Sequence, residues 1–266
     1  MKNFVMKLCY DGSRYRGWQK QGNTDNTIQG KLESALSRLL DQTVELNGSG
    51  RTDAGVHAQC QAASFRADTD MQPEQLLKRL RELMPEDIGI ISVEYAPPRF
   101  HARLSCTGKT YVYRVWNSDE PNVFERKYMS FVTETLDVEA MRLAARHLCG
   151  QHDFASFCTG KSTKKSTVRR VDRVEICRLG NELRFELSGE GFLYNMVRII
   201  VGTLLEVGRG NIAPDDIERI LAARDRSAAG PTAPAKGLCL SSLTFQSAAR
   251  RSDDAPARRG GNAHQH

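Results

Sequence analysis

Residues 43–65 read Thr-Val-Glu-Leu-Asn-Gly-Ser-Gly-Arg-Thr-Asp-Ala-Gly-Val-His-Ala-Gln-Cys-Gln-Ala-Ala-Ser-Phe. The pattern predicts a short strand at 43–47, a second strand at 56–65, and a glycine-rich loop between them. Upstream, Phe4, Met6, Leu8 and Tyr10 alternate as a half-buried strand. Thr27 is placed to cap a helix whose apolar face is Ile28, Leu32, Ala35, Leu36, Leu39 and Leu40. Downstream, Pro73 suits a first helical position, and Leu76, Leu77, Leu80, Leu83 and Met84 share one face. Residues 88–95 form a strand, stopped by Pro97 and Pro98. The order strand–helix–strand–strand–helix–strand is the split βαβ, or ferredoxin-like, pattern.

The remainder repeats that order. Residues 109–117 alternate as a strand. Asp137 caps a helix bearing Val138, Met141, Ala144 and Leu148, with Gly150 at its end. Residues 168–179 and 182–188 form a hairpin turned at Gly180 and Asn181. Residues 192–207 are helical by spacing, 214–223 make a short extra helix, and 238–245 a closing strand. The expected fold is α+β. Two ferredoxin-like or RRM-like halves, 1–105 and 106–246, join edge to edge into one mixed central sheet, with helices on one side and a cleft on the other. Residues 247–266, rich in Ala, Arg, Gly and Asp without periodicity, read as a disordered tail.

A chain of 266 residues is long enough for a sizeable core. Its 38 Lys and Arg against 32 Asp and Glu leave +6, a basic excess that suits a nucleic-acid partner without requiring one. Seven cysteines, an odd number with no Cys-x-x-Cys spacing, read as free thiols in a reducing cytoplasm. The six histidines show no ligand pattern, so no metal is expected. No signal peptide, membrane-length apolar run, phosphate-binding loop or dinucleotide fingerprint is expected.

In the loop, three glycines crowd one acid, Asp53, and one base, Arg51. Gly48, Gly50 and Gly55 are free to take backbone angles closed to other residues. Two readings of Asp53 compete: an Asx turn, in which the carboxylate bonds its own backbone, or a reactive carboxylate held ionised by nearby cations. Arg198 interrupts an apolar helix and needs a partner, either a structural acid or Asp53. Tyr111 and Tyr113 share one strand face; either both are core or one turns to the cleft. Arg14, Arg16, Arg99, Arg103, Lys109 and Arg114 lie near Tyr15, Trp18, Phe100, Tyr111 and Tyr113. That interleaving suits single-stranded RNA, or simply a packed core. Residues 161–184 carry eight Lys or Arg against three acids, either a solvated face or a phosphate-contacting one.

The nine residues Gly50-Arg51-Thr52-Asp53-Ala54-Gly55-Val56-His57-Ala58 resemble the signature of the tRNA pseudouridine synthase A family. Tyr15–Gln19, Ile28–Glu33, Lys109–Arg114, Phe192–Arg198 and Lys236–Leu238 resemble further family segments, in order across residues 3–246. The resemblance implies the pseudouridine synthase fold and an isomerase that converts uridine to pseudouridine at positions 38–40, on the 3′ side of the tRNA anticodon stem-loop. It also implies a cytoplasmic homodimer with a basic tRNA-binding cleft, and neither metal nor organic cofactor. By the same matches the catalytic aspartate is Asp53, the substrate-site tyrosine is Tyr111, and the arginine paired to the aspartate is Arg198. Arg51 joins Arg198 in the substrate site and in keeping Asp53 ionised. A noncatalytic RNA binder has no need of an acid in a positive site, and no RNP-type aromatic signature is present. A glycosidase would want a second placed carboxylate, and the next acid downstream is Asp68, beyond the following strand.

Overall fold

A computed structural model describes residues 1–160 and 166–246. The tail expected at 247–266, and residues 161–165 of the basic run, lie outside the described residues. The first half comprises β1 (Lys2–Tyr10), α1 (Ile28–Leu40), β2 (Asn47–Gly48), β3 (His57–Ala67), α2 (Pro73–Leu83) and β4 (Ile88–Tyr95). The second comprises β5 (Cys106–Asn117), β6 (Ser130–Val132), α3 (Val138–Arg146), β7 (Gly150–Asp153), β8 (Val168–Leu179), β9 (Glu182–Gly189), α4 (Met196–Gly208), α5 (Asp216–Ala223) and β10 (Leu238–Phe245).

All ten strands belong to one mixed sheet, ordered β4-β1-β3-β10-β5-β9-β8-β7, with β2 on β3 and β6 on β5. In each half the strands run fourth–first–third–second: β4-β1-β3-β2, then β10-β5-β9-β8. The class is therefore α+β as expected, with the halves joined edge to edge.

The strand expected at 43–47 shrinks to β2, which pairs with β3 only at Ser64 and Ala63. Side chains of α1 take the backbone groups upstream. Val44 N–H donates to Ser37 Oγ at 3.0 Å, and Leu46 N–H to Glu33 Oε1 at 3.0 Å. Val44 and Leu46 are still buried, which is why alternation read them as a strand. Because β2 is so short, the start of β3 is left unpaired on that edge. There β10 pairs in parallel, Cys239 opposite His57 and Leu240 opposite Ala58. On its other side β10 runs antiparallel to β5. The loop from Ser49 to Val56 thus lies where the two halves meet.

The helices follow their apolar faces. Thr27 Oγ1 caps α1 by accepting from Gly30 N–H at 3.2 Å, and Ile28, Leu32 and Leu36 are fully buried. α1 packs on α2, and α3 on α4. α4 is apolar and buried along most of its surface, Arg198 and Glu206 excepted. It begins at Met196 rather than at 192, since Asn195 sits at φ 61°, where no right-handed helix continues. Gly150 does not end α3, which stops at Arg146; at φ 107° it opens β7 instead. β6 and β7, of three and four residues, are too short for alternation to reveal.

Candidate active site

The loop carrying Asp53 is clamped from outside by the segment after β1. Trp18 N–H donates to Thr52 O at 3.0 Å. A Cβ on Gly17, which has φ 94°, would lie 2.7 Å from the same carbonyl. Within the loop, Val56 N–H closes a turn onto Asp53 O at 3.1 Å, with Gly55 at φ 78°. Gly55 alone of the three loop glycines has positive φ. Gly48 is required for space, since a Cβ would meet the buried Trp18 indole at 2.6 Å; at Gly50 a Cβ would meet only the flexible end of Lys109, Nζ at 2.6 Å.

The Asp53 side chain makes no Asx turn. Among the described residues its one hydrogen-bond partner is Arg198 Nη1, at 3.5 Å. Arg198 is half-buried at the start of α4 and is held twice more, by Nε donating to Ala233 O at 2.7 Å and Nη1 to Asn195 Oδ1 at 2.9 Å. Burial pushes the Asp53 carboxyl above its ordinary value, and the Arg198 charge pulls it back in part. Arg51 does not take the part expected of it beside the acid. Its side chain is exposed, has no ion pair among the described residues, and does not figure among the causes of the Asp53 shift.

Tyr113 is core: its hydroxyl donates to Pro234 O at 2.8 Å. Tyr111, 7% exposed, stands edge-on to Phe192 with centroids 5.4 Å apart. Its hydroxyl has no hydrogen-bond partner among the described residues, and burial raises its pKa, with the Asp53 charge adding to the effect. Asp53, Tyr111, Arg198 and Arg51 all line one cavity of about 1340 Å³ between the α1 edge, the glycine loop and residues 192–198. The same wall carries Lys20, Lys31, Arg103 and Lys109. Lys109 Nζ donates to Ser49 O at 3.0 Å, and Arg103 has no carboxylate partner among the described residues.

Other basic candidates are spent on structure. Arg114 forks onto Glu182 at 2.8 and 3.1 Å and also reaches Glu125; Glu182 is pulled down to about 2 as a result. Arg14 pairs with Asp87. Arg170 pairs with Asp172, Arg173 with Glu175 and Glu186, and Arg184 with Glu182, whereas Arg169 and Arg178 have no carboxylate partner among the described residues. Tyr15 and Trp18 are buried in the core.

One residue of the signature has a task that the sequence left unassigned. Gly12 N–H donates to His57 Nδ1 at 3.1 Å, so the ring proton sits on Nε2, facing Lys127 O at 3.2 Å. Burial pushes its pKa down, against the pull of Asp11, and favours the neutral ring. His57 thereby ties the clamp around the Asp53 loop to the segment before β6. Its place in the nine-residue signature was the available clue. Among the described residues no group of three or more His, Cys, Asp or Glu is placed to hold a metal ion. All seven cysteines are free, and no described helix is long and apolar enough to cross a membrane.

A sheet of two joined ferredoxin-like halves, with an acid and an arginine meeting at the junction, invites comparison with known proteins. The family model for tRNA pseudouridine synthase matches residues 8–104 and 144–246. The tRNA pseudouridine synthase A 2 of Bacillus anthracis is 45% identical over 245 residues, covering 92% of this chain and all of the relative. The tRNA pseudouridine synthase A 1 of Clostridium tetani is 44% identical over the same shares. In the crystal structure of a Cbf5-Nop10-Gar1 complex, one chain aligns with 76% of this chain and 45% of its own length. At TM-score 0.35 and 11% identity that likeness carries no argument. The chain belongs to the tRNA pseudouridine synthase family, and so to the isomerases.

Proposed function

We propose that the protein isomerises uridine to pseudouridine at positions 38–40 of the tRNA anticodon stem-loop, with Asp53 as its catalytic carboxylate. The observation that carries the reading is Asp53 on the cavity wall with Arg198 as its single partner among the described residues, and the Tyr111 hydroxyl, unpaired among those residues, beside the same space. The reaction breaks the carbon–nitrogen glycosidic bond, turns the uracil and rejoins it through carbon. The uracil first leaves its stack, as in other enzymes that act on a base. Bond breaking builds positive character on the sugar. An ionised carboxylate answers that charge as nucleophile, as base toward a sugar proton, or as electrostatic stabiliser.

Arg198 favours ionised Asp53 against the cost of its burial. Tyr111 borders the base and limits escape of the detached uracil. Arg51, Arg103 and Lys109, on the same wall without acid partners among the described residues, supply contacts for the RNA backbone. Isomerisation consumes no redox equivalent, so the reading includes no cofactor. It also includes a cytoplasmic homodimer, which sedimentation would check.

The test is to incubate unmodified tRNA with the wild type and with Asp53→Asn, then map pseudouridine chemically. The Asn variant is expected to bind tRNA and form no pseudouridine. An active Asn variant would remove Asp53 from the chemistry.

A further inference from the structure

We propose that Asn195 is a positioning residue that aims Arg198 at Asp53, and that Thr159 fixes it in that task. The inference rests on the reading of Asp53 and Arg198 given above. An arginine has only donors, so the Asn195 atom that accepts from Nη1 at 2.9 Å is the amide oxygen. The amide nitrogen faces the other way and donates to Thr159 Oγ1 at 2.7 Å. The reversed amide would set N–H against N–H at Arg198. The segment carrying Thr159 grips the same turn a second time, through Thr159 N–H donating to Tyr194 O at 3.3 Å. That segment is itself anchored by Phe154 and Phe157, both fully buried.

The backbone adds an independent point. Asn195 sits at φ 61°, a conformation that glycine adopts at no steric cost. For the cap alone glycine would serve at least as well, so the amide is the feature that needs explaining. Arg198 Nε is fixed on Ala233 O at 2.7 Å. With Nη1 held by Asn195 as well, the guanidinium plane is set. Its contact with Asp53 is long, at 3.5 Å, so a small rotation would break it.

Asn195→Gly keeps the backbone conformation and removes the amide. Thr159→Val removes only the acceptor behind it, and Thr159→Ser restores that acceptor. The measurements are kcat and KM for pseudouridine formation on unmodified tRNA across pH, with the thermal midpoint of each variant. For Asn195→Gly the midpoint is expected to match wild type, and KM to change less than about twofold. Its kcat should fall about tenfold on the acid side, as for one lost hydrogen bond to a charged group, and recover as pH rises. Thr159→Val should show the same pattern more weakly, and Thr159→Ser should behave as wild type. A wild-type pH profile in Asn195→Gly overturns the proposal, leaving Asn195 a cap only. An equal fall at every pH overturns it too, since the amide would then act otherwise than through the Asp53 charge. Asp53→Asn is run alongside. If it stays active, the underlying assignment fails and takes this one with it. If it is dead while Asn195→Gly is normal, only the positioning role fails.

Discussion

Replacing Arg198 with Met removes the charge beside Asp53 and keeps the bulk of the side chain. Unit charges 3.5 Å apart attract by about 5 kcal/mol at an effective dielectric of about 20. The two side chains are 17% and 24% exposed, so water reaches the pair. Screening and the cost of desolvating both groups bring the net effect to about 2 kcal/mol. The direction follows from which form of Asp53 works. Burial already holds its proton to higher pH than in an ordinary aspartate, and loss of Arg198 holds it further. On the proposed role of Asp53, activity needs the ionised form, so kcat/KM is expected to rise with pH through that titration. On the acid limb the variant should lose about 30-fold, the equivalent of about 2 kcal/mol. Toward alkaline pH, where both proteins are ionised, the gap should narrow. The assay is kcat/KM for pseudouridine formation in wild type and Arg198→Met at closely spaced pH values. A loss of the same size at every pH would refute the electrostatic argument and leave Arg198 a contact residue.

Three further outcomes are expected. Because the folded chain holds the Asp53 proton to higher pH than the unfolded chain, ionisation costs stability as pH rises above the unfolded value. Asp53→Asn should therefore melt no lower than wild type at neutral pH, with the difference fading in acid; a clearly less stable variant at neutral pH contradicts the raised pKa. Tyr111→Phe should lower kcat more than tRNA affinity, because the hydroxyl has no hydrogen bond to lose among the described residues; equal losses in turnover and filter binding would make it a packing residue. In Gly202→Ala the new Cβ would lie 1.7 Å from Pro231 O, so α4 and the 230–233 segment must part, at a cost of about 1–3 kcal/mol or more. A wild-type urea midpoint in that variant would show the contact to be soft.

The fold was readable because its apolar residues keep strict periods. Phe4, Met6, Leu8 and Tyr10 are buried as alternation requires, as are Ile28, Leu32 and Leu36 on α1. What escaped was set by partners distant in sequence. Ser37 and Glu33 capture the N–H groups that would have made 43–47 a strand. The start of α4 depends on Asn195, whose own bonds run to Thr159 and Arg198. The same limit applies to charges. A lone Arg in an apolar helix announced that it needed a partner, and Arg198 meets Asp53 from 145 residues away. Proximity in sequence misled for Arg51, which stands two residues from Asp53 yet is exposed and has no ion pair among the described residues. Arg114 sat among aromatics yet belongs to Glu182.

The insertion of β10 between β3 and β5 has a consequence in time. Each half has its own hairpins and helices and can begin to fold as it leaves the ribosome. The junction cannot form then, because Cys239 must find His57 across most of the chain. Closing so long a loop is slow compared with local pairing. A chain that lacks Leu238–Phe245 lacks both the fourth strand of the second half and the strand that joins the halves, so the junction beneath Asp53 and Tyr111 is the part of the sheet expected to form last.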